Sequence, residues 1–320
     1  MRVIFMGTPD FSVGTLEAII AAGHEVVAVV TQPDKPKGRG GAMAESAVKA
    51  AAKAHGLTIL QPVRARNPEF IEELRTFQAD VFVVVAFGQI LTKEVLDMPK
   101  YGCINVHASL LPKYRGAAPI QYAVIDGCEY SGVTTMQMDE GIDTGDILMM
   151  EKVKLDSKET GGSLFDRLSS VGAELLVKTL AAAEAGTLNP VKQNEAESTH
   201  VRQIPKSMGE LDFSKSAVEL ERLIRGLNPW PSAFMHIKDK MIKIWDADVC
   251  NESQVKTELE AAHEEFHEAA EAGETAGMTK NTFFMKCGEG YLKVNEVQME
   301  GKKRMMTDAF LRGNGKELLS

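Results

Sequence analysis

Strand-like runs that alternate with helical patterns are the feature that most limits how the first half of this chain can fold. Continuous apolar runs between turn residues predict buried strands at residues 3–6, 26–31, 81–86 and 103–107. Helical patterns lie between them, at residues 11–22, 44–55 and 68–77. This alternation predicts an α/β domain with a doubly wound, Rossmann-like sheet, and such sheets bind ligands at the carboxyl ends of their strands.

The second half has a different character, which indicates a second domain. A chain of 320 residues exceeds the ~250–300 residues at which a single core usually stops growing. Residues 189–205 are polar and lack a clear period, so we expect them to link a domain over residues 1–188 to one over residues 206–320. Short alternating runs in the latter predict a small, OB-like β-barrel. These runs are residues 233–237, 241–245, 282–286 and 291–297.

Cysteine spacing and hydropathy exclude several classes of protein. Cys103, Cys128, Cys250 and Cys287 form no Cys-x-x-Cys pair, which is typical of reduced thiols and not of a disulfide framework or a cysteine zinc site. The apolar start of the chain is too short for a signal peptide, and no apolar run reaches the ~18 residues of a membrane span. We therefore expect a cytoplasmic protein without a membrane partner, and we expect a monomer.

The net charge of −9 argues at first against a polyanionic partner. The charge is unevenly spread, however, because residues 252–274 hold eight glutamates and one lysine. The rest of the C-terminal region has a small excess of basic residues. A nucleic acid could therefore dock there if the acidic stretch points elsewhere.

The turn after the first predicted strand matches a dinucleotide-binding loop only weakly. Gly7-Thr8-Pro9-Asp10 has one glycine where the fingerprint needs three. Pro9 also removes a backbone N–H that a pyrophosphate would need. A nicotinamide or flavin cofactor is therefore not expected.

Polar side chains at the end of one predicted strand form the richest candidate site. Asn105 and His107 lie two residues apart, so their side chains point to the same face of the strand. A later loop, residues 138–146, holds four carboxylates, and a loop aspartate could meet the histidine and fix its tautomer and charge. The alternatives are a capped strand end with a satisfied histidine and a solvated acidic turn.

Longer motifs resemble those of the methionyl-tRNA formyltransferase family across nearly the whole chain. The matching pieces are residues 5–11, 31–36, 38–40, 88–91, 105–116, 132–146, 228–231 and 301–305. The Asn-x-His, Ser-Leu-Leu-Pro and distal Asp set is common to formyl-folate transferases. The early and C-terminal motifs indicate the branch that acts on tRNA.

The resemblance implies a co-substrate, an acceptor and a set of site residues. It implies 10-formyltetrahydrofolate as formyl donor, initiator methionyl-tRNA as acceptor, and no metal. Asn105, His107 and Asp143 would form a catalytic trio. Asn105 could donate a hydrogen bond to the oxygen of the tetrahedral adduct, and His107 could either remove the proton of the amine or stabilise the oxyanion as imidazolium. Asp143 could orient His107 and favour its charged form. The implied folate contacts are Ser109, Leu110, Leu111, Pro112, Phe87, Gln89, Ile90 and Leu91.

Basic residues in two regions are candidate contacts to tRNA. Residues 32–43 are rich in glycine and proline and predict a long irregular loop. Its Lys35, Lys37 and Arg39 could reach phosphates or the acceptor end. Further candidates in the C-terminal region are Lys206, Lys243, Lys302, Lys303 and Arg304. Solvated surface cations are the alternative for each.

One motif favours a different class of enzyme. His263-Glu264-Glu265-Phe266-His267 matches His-Glu-x-x-His, which on a helix supplies two zinc ligands and a general base. The segment is predicted to be helical, but its Ala/Glu-rich surroundings offer no apolar face for a closed cleft. We therefore expect an inserted surface helix in place of a zinc protease.

Two further alternatives stay within folate chemistry. Glycinamide ribonucleotide and amino-sugar formyltransferases share the trio, as does formyltetrahydrofolate hydrolase, but they would not need a C-terminal barrel or the long loop. An inactive folate-binding module is disfavoured, because all three proposed catalytic side chains are present.

Overall fold

The computed structural model describes residues 1–37 and 42–319, apart from the side chains of Lys37, Ala42 and Asn314. These residues form two compact units. The first unit comprises Met1–Pro119, Tyr130–Lys154 and Leu164–Arg202, and the second comprises Ile120–Glu129, Leu155–Ser163 and Gln203–Ser320. The division into residues 1–188, 189–205 and 206–320 stays a prediction.

Strands and helices alternate in the first part of the chain. The strands are β1 (Arg2–Gly7), β2 (Glu25–Val30), β3 (Lys35–Lys37), β4 (Ala42–Ala44), β5 (Ile59–Leu60), β6 (Val81–Val85), β7 (Cys103–His107), β8 (Arg115–Gly116), β9 (Tyr130–Gln137), β10 (Ile147–Lys154) and β11 (His200–Val201). The helices are α1 (Val13–Ala21), α2 (Ala47–Ala54), α3 (Pro68–Thr76), α4 (Lys93–Leu96), α5 (Pro119–Ile125) and α6 (Gly161–Glu184). In the described part of the chain, no helix has the length and apolar character needed to cross a bilayer.

Seven strands of the first unit form one sheet, in the order β10-β9-β7-β6-β1-β2-β5. β1 pairs in parallel with β2 and β6, and β6 pairs in parallel with β7, whereas β9 and β10 are antiparallel at one edge. The chain builds outward from β1 to β5 and then returns to build β6 and β7 on the other side. The sheet therefore reverses between β1 and β6, where open α/β sheets bind ligands. The predicted α/β fold is confirmed.

Strands β1 and β6 are almost entirely apolar, as expected for strands that are covered on both faces. β6 is buried at every residue, and β1 is buried at all but its first. Phe70, Ile71 and Leu74 of α3 belong to one buried cluster with Ile4 of β1 and Phe82 of β6. Burying one such side chain stabilises a fold by about 1.5–3 kcal/mol. The ends of these strands are therefore supported by a well-packed core.

The second unit is built on antiparallel strands. They are β12 (Ala233–Ile237), β13 (Lys240–Cys250), β14 (Thr275–Met278), β15 (Phe283–Lys286), β16 (Tyr291–Met299) and β17 (Met305–Met306). After Gln203, the helices of this unit are α7 (Ala217–Gly226), α8 (Glu252–Ala261), α9 (Thr307–Phe310) and α10 (Lys316–Leu319). The strand order is β12-β13-β16-β15-β14, and β17 pairs with β16. The predicted C-terminal β structure is confirmed as an antiparallel sheet.

Helix α7 has a clear start signal and one apolar face. Ser216 Oγ accepts the N–H of Glu219, and the Glu219 carboxylate accepts the N–H of Ser216, which together form a capping box. Such a cap stabilises a helix by about 0.5–2 kcal/mol. Leu220, Leu223 and Ile224 are buried along one face. The helix is therefore fixed both by its first turn and by packing.

The expectation of a long irregular loop over residues 32–43 is wrong. β3 and β4 pair as an antiparallel ladder in which Lys35 lies opposite Ala44 and Pro36 opposite Met43. Strands of three residues are too short to give a detectable alternation in the sequence, and the proline in β3 argues against a strand. The predicted tRNA contact Arg39 lies outside the described residues.

Candidate active site

β7 brings Asn105 and His107 to the carboxyl end of the parallel strands. Asn105 lies opposite Val84 of β6 and Met136 of β9, and His107 lies opposite Thr134 of β9. Their two-residue separation places both side chains on one face. Asn105 is half-buried, and its carboxamide makes no hydrogen bond with the residues that the structure describes. Its donors and acceptor therefore remain available to a bound molecule.

The two ring nitrogens of His107 face two different acceptors. Nε2 lies 2.9 Å from the carbonyl oxygen of Tyr114, and Nδ1 lies 3.6 Å from Oδ2 of Asp143. Because a carbonyl oxygen can only accept, Nε2 carries a proton, and Nδ1 of the neutral ring is then unprotonated. A proton added at Nδ1 would face the Asp143 carboxylate. The pair therefore places a carboxylate beside the ring nitrogen that carries no proton.

Asp143 is held in an unfavourable backbone conformation by hydrogen bonds at both of its ends. Its φ is 56°, in the left-handed region that costs a non-glycine residue about 1–3 kcal/mol. Oδ2 accepts the N–H of Gly116 at 2.7 Å, and the main-chain oxygen accepts Nε2–H of Gln193 at 2.8 Å. Strain of this kind collects at functional sites. The expected meeting of His107 with a loop aspartate is thus seen at Asp143.

Arg115, Gln193 and Glu195 form a network that contacts the Asp143 loop. Arg115 is 1% exposed, and its Nε and Nη2 donate to Oε1 of Gln193 at 3.0 and 2.9 Å. Nη1 and Nη2 also donate to the Glu195 carboxylate at 2.9 and 2.7 Å. These hydrogen bonds lower the pKa of the Glu195 carboxyl and raise the pKa of the Arg115 guanidinium.

This network has no recognisable signal in the sequence. Gln193 and Glu195 lie within residues 189–205, which were predicted to be a linker. Arg115 lies inside a motif that matches relatives, but its spacing from Gln193 carries no pattern. A buried arginine needs partners, and that requirement is visible only after folding.

The Ser109-Leu110-Leu111-Pro112 turn has little side-chain freedom. Ser109 Oγ donates to the carbonyl oxygen of Lys113 at 2.6 Å, so its hydroxyl is occupied within the turn. Ser109 and Leu111 are buried, whereas Leu110 and Pro112 are half-buried. Leu110 and Pro112 are therefore the side chains of this turn that a ligand could reach.

The turn after β6 offers mainly backbone to a ligand. Phe87 and Leu91 belong to the core cluster under the sheet. Gln89 uses its carboxamide on main-chain groups of residues 62–65, at 2.7 and 3.1 Å. Ile90 is 79% exposed. Among the four residues of this turn that were predicted to contact folate, Ile90 presents its side chain at the surface and the others shape the turn.

The basic residues predicted to contact tRNA differ in how free they are. Lys35 is exposed, and its Nζ donates to Oε1 of Gln32 at 2.6 Å. Arg304 donates to the Glu296 carboxylate, and its guanidinium carbon lies 4.8 Å from the ring centroid of Trp245. Arg304 is thus engaged within its own sheet. Lys206, Lys302 and Lys303 of the second unit are exposed as well. The side chain of Lys37 lies outside the described residues.

The His-Glu-x-x-His segment is not helical, contrary to the sequence prediction. α8 ends at Ala261, and His263 has a φ of 57°. Nδ1 of His267 lies 3.2 Å from the carbonyl oxygen of Thr275. The two histidines are therefore not on successive turns of a helix. Within residues 1–37 and 42–319, no three His, Cys, Asp or Glu side chains are grouped so as to hold a metal ion.

Two family models define the class of this chain as a formyltransferase. Residues 1–180 match the model of the family described as Formyl transferase, and residues 203–315 match that of Formyl transferase, C-terminal domain. In fold, the chain is similar to an N-formyltransferase from Helicobacter canadensis in complex with folinic acid and dTDP-3-aminofucose. The TM-score is 0.65 at 20% identity, over 93% of this chain and 99% of that chain.

Two relatives identify the branch of that class. The chain is 68% identical to the methionyl-tRNA formyltransferase of Lachnospira eligens over 315 residues, which are 98% of this chain and 97% of that protein. It is 57% identical to the methionyl-tRNA formyltransferase of Agathobacter rectalis over 313 residues, 98% of this chain and 96% of that protein. The chain therefore belongs to the methionyl-tRNA formyltransferase family, and the resemblance noted in the sequence is confirmed.

Proposed function

We propose that this chain transfers the formyl group of 10-formyltetrahydrofolate to the amino group of methionine on initiator methionyl-tRNA. The product is N-formylmethionyl-tRNA, which serves translation initiation. The observation that carries the proposal is the 68% identity to a methionyl-tRNA formyltransferase along 98% of the chain, through both family domains. The catalytic groups are Asn105, His107 and Asp143.

Asn105 stabilises the negative charge that develops during transfer. The methionyl amine attacks the formyl carbon, and the former carbonyl oxygen becomes an oxyanion. The carboxamide of Asn105 has no partner among the described residues, so it can donate to that oxygen without breaking another bond. A donor of this kind typically contributes about 2.7–4 kcal/mol.

The His107–Asp143 pair moves the proton that the reaction must transfer. An α-amine has a reference pKa of ~7.7–8.0, and it must lose a proton as its bond to carbon forms. The folate nitrogen must gain one as its bond to carbon breaks. Nδ1 of His107, 3.6 Å from Oδ2 of Asp143, is the atom at which the proton is held between these events.

The folate occupies the carboxyl edge of the sheet beside the trio. Ile90 and main-chain groups of the turn after β6 form one wall, and Leu110 and Pro112 form another. Ala86 has a φ of 46° and Gly88 a φ of 78°, so the turn points its peptide groups in directions that regular structure does not allow. The side chains of Phe87, Gln89 and Leu91 hold the turn in this conformation.

The tRNA is held by basic residues of both units. Lys35, Lys37 and Arg39 contact the acceptor end of the tRNA. We further propose that Lys206, Lys302, Lys303 and Arg304 contact phosphates on the second unit, and that the antiparallel strands of this unit form an OB-like barrel. Arg304 contributes least, because Glu296 already neutralises it.

The protein acts as a monomer in the cytoplasm and needs no metal. Its four cysteines are not paired in disulfides, as is usual for thiols in a reducing compartment. Burial raises the pKa of the Cys103 thiol, and burial also raises the pKa of Cys287, to about 11. Both thiols therefore stay protonated and serve as small apolar side chains of the core.

A formylation assay tests the proposal. The protein is mixed with 10-formyltetrahydrofolate and methionyl-initiator tRNA, with uncharged tRNA, free methionine and a nucleotide-linked amino sugar as comparisons. We expect formyl transfer to methionyl-tRNA alone. Transfer to the amino sugar, or to free methionine at a similar rate, would overturn the assignment of the acceptor.

A further inference from the structure

Residues 193–201 hold residues 114–116 in place. Residues 114–116 in turn provide a hydrogen-bonding partner to both His107 and Asp143. β11 pairs in parallel with β8, and the N–H of Tyr114 donates to Oγ1 of Thr199 at 2.8 Å. The main-chain oxygen of Tyr114 faces Nε2 of His107, and the N–H of the nearby Gly116 faces Asp143. The geometry of the pair thus depends on residues far along the chain.

Gln193 uses every hydrogen-bonding position of its carboxamide in this arrangement. Oε1 accepts two N–H groups of Arg115, and Nε2 donates to the main-chain oxygens of Asp143 at 2.8 Å and Gly145 at 2.7 Å. A guanidinium only donates and a carbonyl only accepts, so the carboxamide fits in one orientation. Gln193 therefore ties the Asp143 loop to a buried cation.

The rest of the loop leaves little room for an alternative conformation. A Cβ on Gly145 would lie 1.7 Å from the carbonyl oxygen of Gln137. Oδ1 of Asp139 accepts Thr144 Oγ1–H at 2.6 Å and the N–H of Gly141 at 3.0 Å. These contacts fix the outer part of the loop. The strained peptide at Asp143 depends on Gln193 and Gly116.

We infer that Gln193, itself held by Arg115, is a positioning residue that keeps Asp143 against His107 during formyl transfer. The inference rests on the proposed function, because it assigns a role within that reaction. Without the two Nε2 donors, Asp143 relaxes from its left-handed conformation and its carboxylate leaves Nδ1 of His107. Misplacement of a catalytic group by about 1 Å can slow a reaction about 100-fold.

The variant Gln193→Glu removes the two donors while keeping the shape of the side chain and an acceptor for Arg115. We expect kcat to fall about 10–100-fold, with KM for both substrates within about 2-fold of the wild type. Gln254→Glu, the same change at an exposed position of α8, is the matched control and should leave both constants unchanged. An unchanged kcat in Gln193→Glu would overturn the inference.

A double-mutant cycle separates positioning from a general effect on the fold. In an Asp143→Asn background, Gln193→Glu should slow the reaction by less than about 2-fold, because there is no longer a carboxylate to position. A further loss as large as in the wild-type background would show that Gln193 acts by another route, and would overturn the inference.

A spectroscopic readout keeps the test independent of activity. In the full-length protein with ¹⁵N-labelled histidine and no substrate, the ring signals of His107 are assigned by their loss in His107→Gln. Gln193→Glu should shift these signals and leave those of the other histidines in place. Unshifted His107 signals would overturn the inference. Should Gln193→Glu not fold, Gln193→Met takes its place with the same expectations.

The proposed function and the positioning role fail in different experiments. If the wild type does not formylate methionyl-tRNA, the proposed function is wrong, and the His107 signals still decide whether Gln193 positions Asp143. If the wild type is active and the signals do not move, only the positioning role is wrong.

Discussion

A strand positions Asn105 and His107, whereas a loop positions Asp143. Packing of the sheet holds the first two side chains in place, and hydrogen bonds hold the third. The period of β7 puts both side chains on one face, and the sheet around them is packed on a buried cluster. Asp143 depends on hydrogen bonds from Gly116 and Gln193. We therefore expect that substitutions far from the site can displace Asp143 while Asn105 and His107 keep their positions.

The largest effects are expected when the His107–Asp143 pair is removed. His107→Ala and Asp143→Ala should each slow formylation about 10²–10⁴-fold, because the proton of the amine then lacks its acceptor. Single-turnover rates on methionyl-initiator tRNA measure this loss. Circular dichroism should show an intact fold, and near-normal turnover in either variant would refute the mechanism.

Removal of the strand-borne donor should come next. Asn105→Ala should lower kcat about 10²–10³-fold, because the oxyanion loses a hydrogen bond. Its thermal stability should stay close to that of the wild type, since the carboxamide bonds to none of the described residues. If Asn105→Ala destabilised the protein more than Asp143→Ala does, the strand would not position its side chains independently of their hydrogen bonds.

A glycine substitution can displace the Asp143 loop and leave the strand that carries Asn105 and His107 in place. In Gly145→Ala the new Cβ would meet the carbonyl oxygen of Gln137 at 1.7 Å, so the backbone beside Asp143 must shift. We expect kcat to fall about 10-fold or more.

Gly14→Ala in α1 is the matched control for that substitution. Its Cβ would make only ordinary contacts, at 3.4 Å and beyond, and the helix should gain about 0.5–1 kcal/mol. Kinetic constants and urea unfolding of the two variants measure the contrast. Equal activity in both would argue that the loop geometry does not matter.

The smallest effect concerns Glu195 and pH. Its pKa is lowered in the folded state by the Arg115 hydrogen bond, so its contribution to stability is present above the unfolded pKa of ~4.3 and is lost as pH falls through the folded pKa. The side chain is 70% exposed, so the contribution is small. Urea unfolding should separate the wild type from Glu195→Gln at pH 7 and not in acid. A gap that widened in acid would contradict this.

The sequence predicts those features whose causes are local. The strands of the sheet follow from runs of β-branched residues, and Asn105 and His107 follow from a spacing of two. The network of Arg115 and Gln193 joins groups 78 positions apart, and such partners carry no periodic signal. Because contacts between distant residues leave no pattern in the sequence, residues 189–205 were predicted to be a linker, although Gln193 contacts the Asp143 loop.

Two local predictions failed for reasons that are also physical. The β3–β4 ladder is too short to show an alternation, and Pro36 in β3 argues against a strand. The Ala/Glu-rich stretch after α8 has helical composition, but the chain turns through a positive φ at His263, which ends the helix. Composition indicates that a helix can form, but it does not show where packing ends that helix.

A kinetic cycle of His107→Ala and Asp143→Ala tests whether the two side chains act together on one proton. The single-turnover rate of formyl transfer to methionyl-initiator tRNA is measured for the wild type, both single variants and the double variant. If the two side chains handle one proton together, the double variant is no slower than the slower single variant. Losses that multiply would mean that they act independently, and would contradict the account.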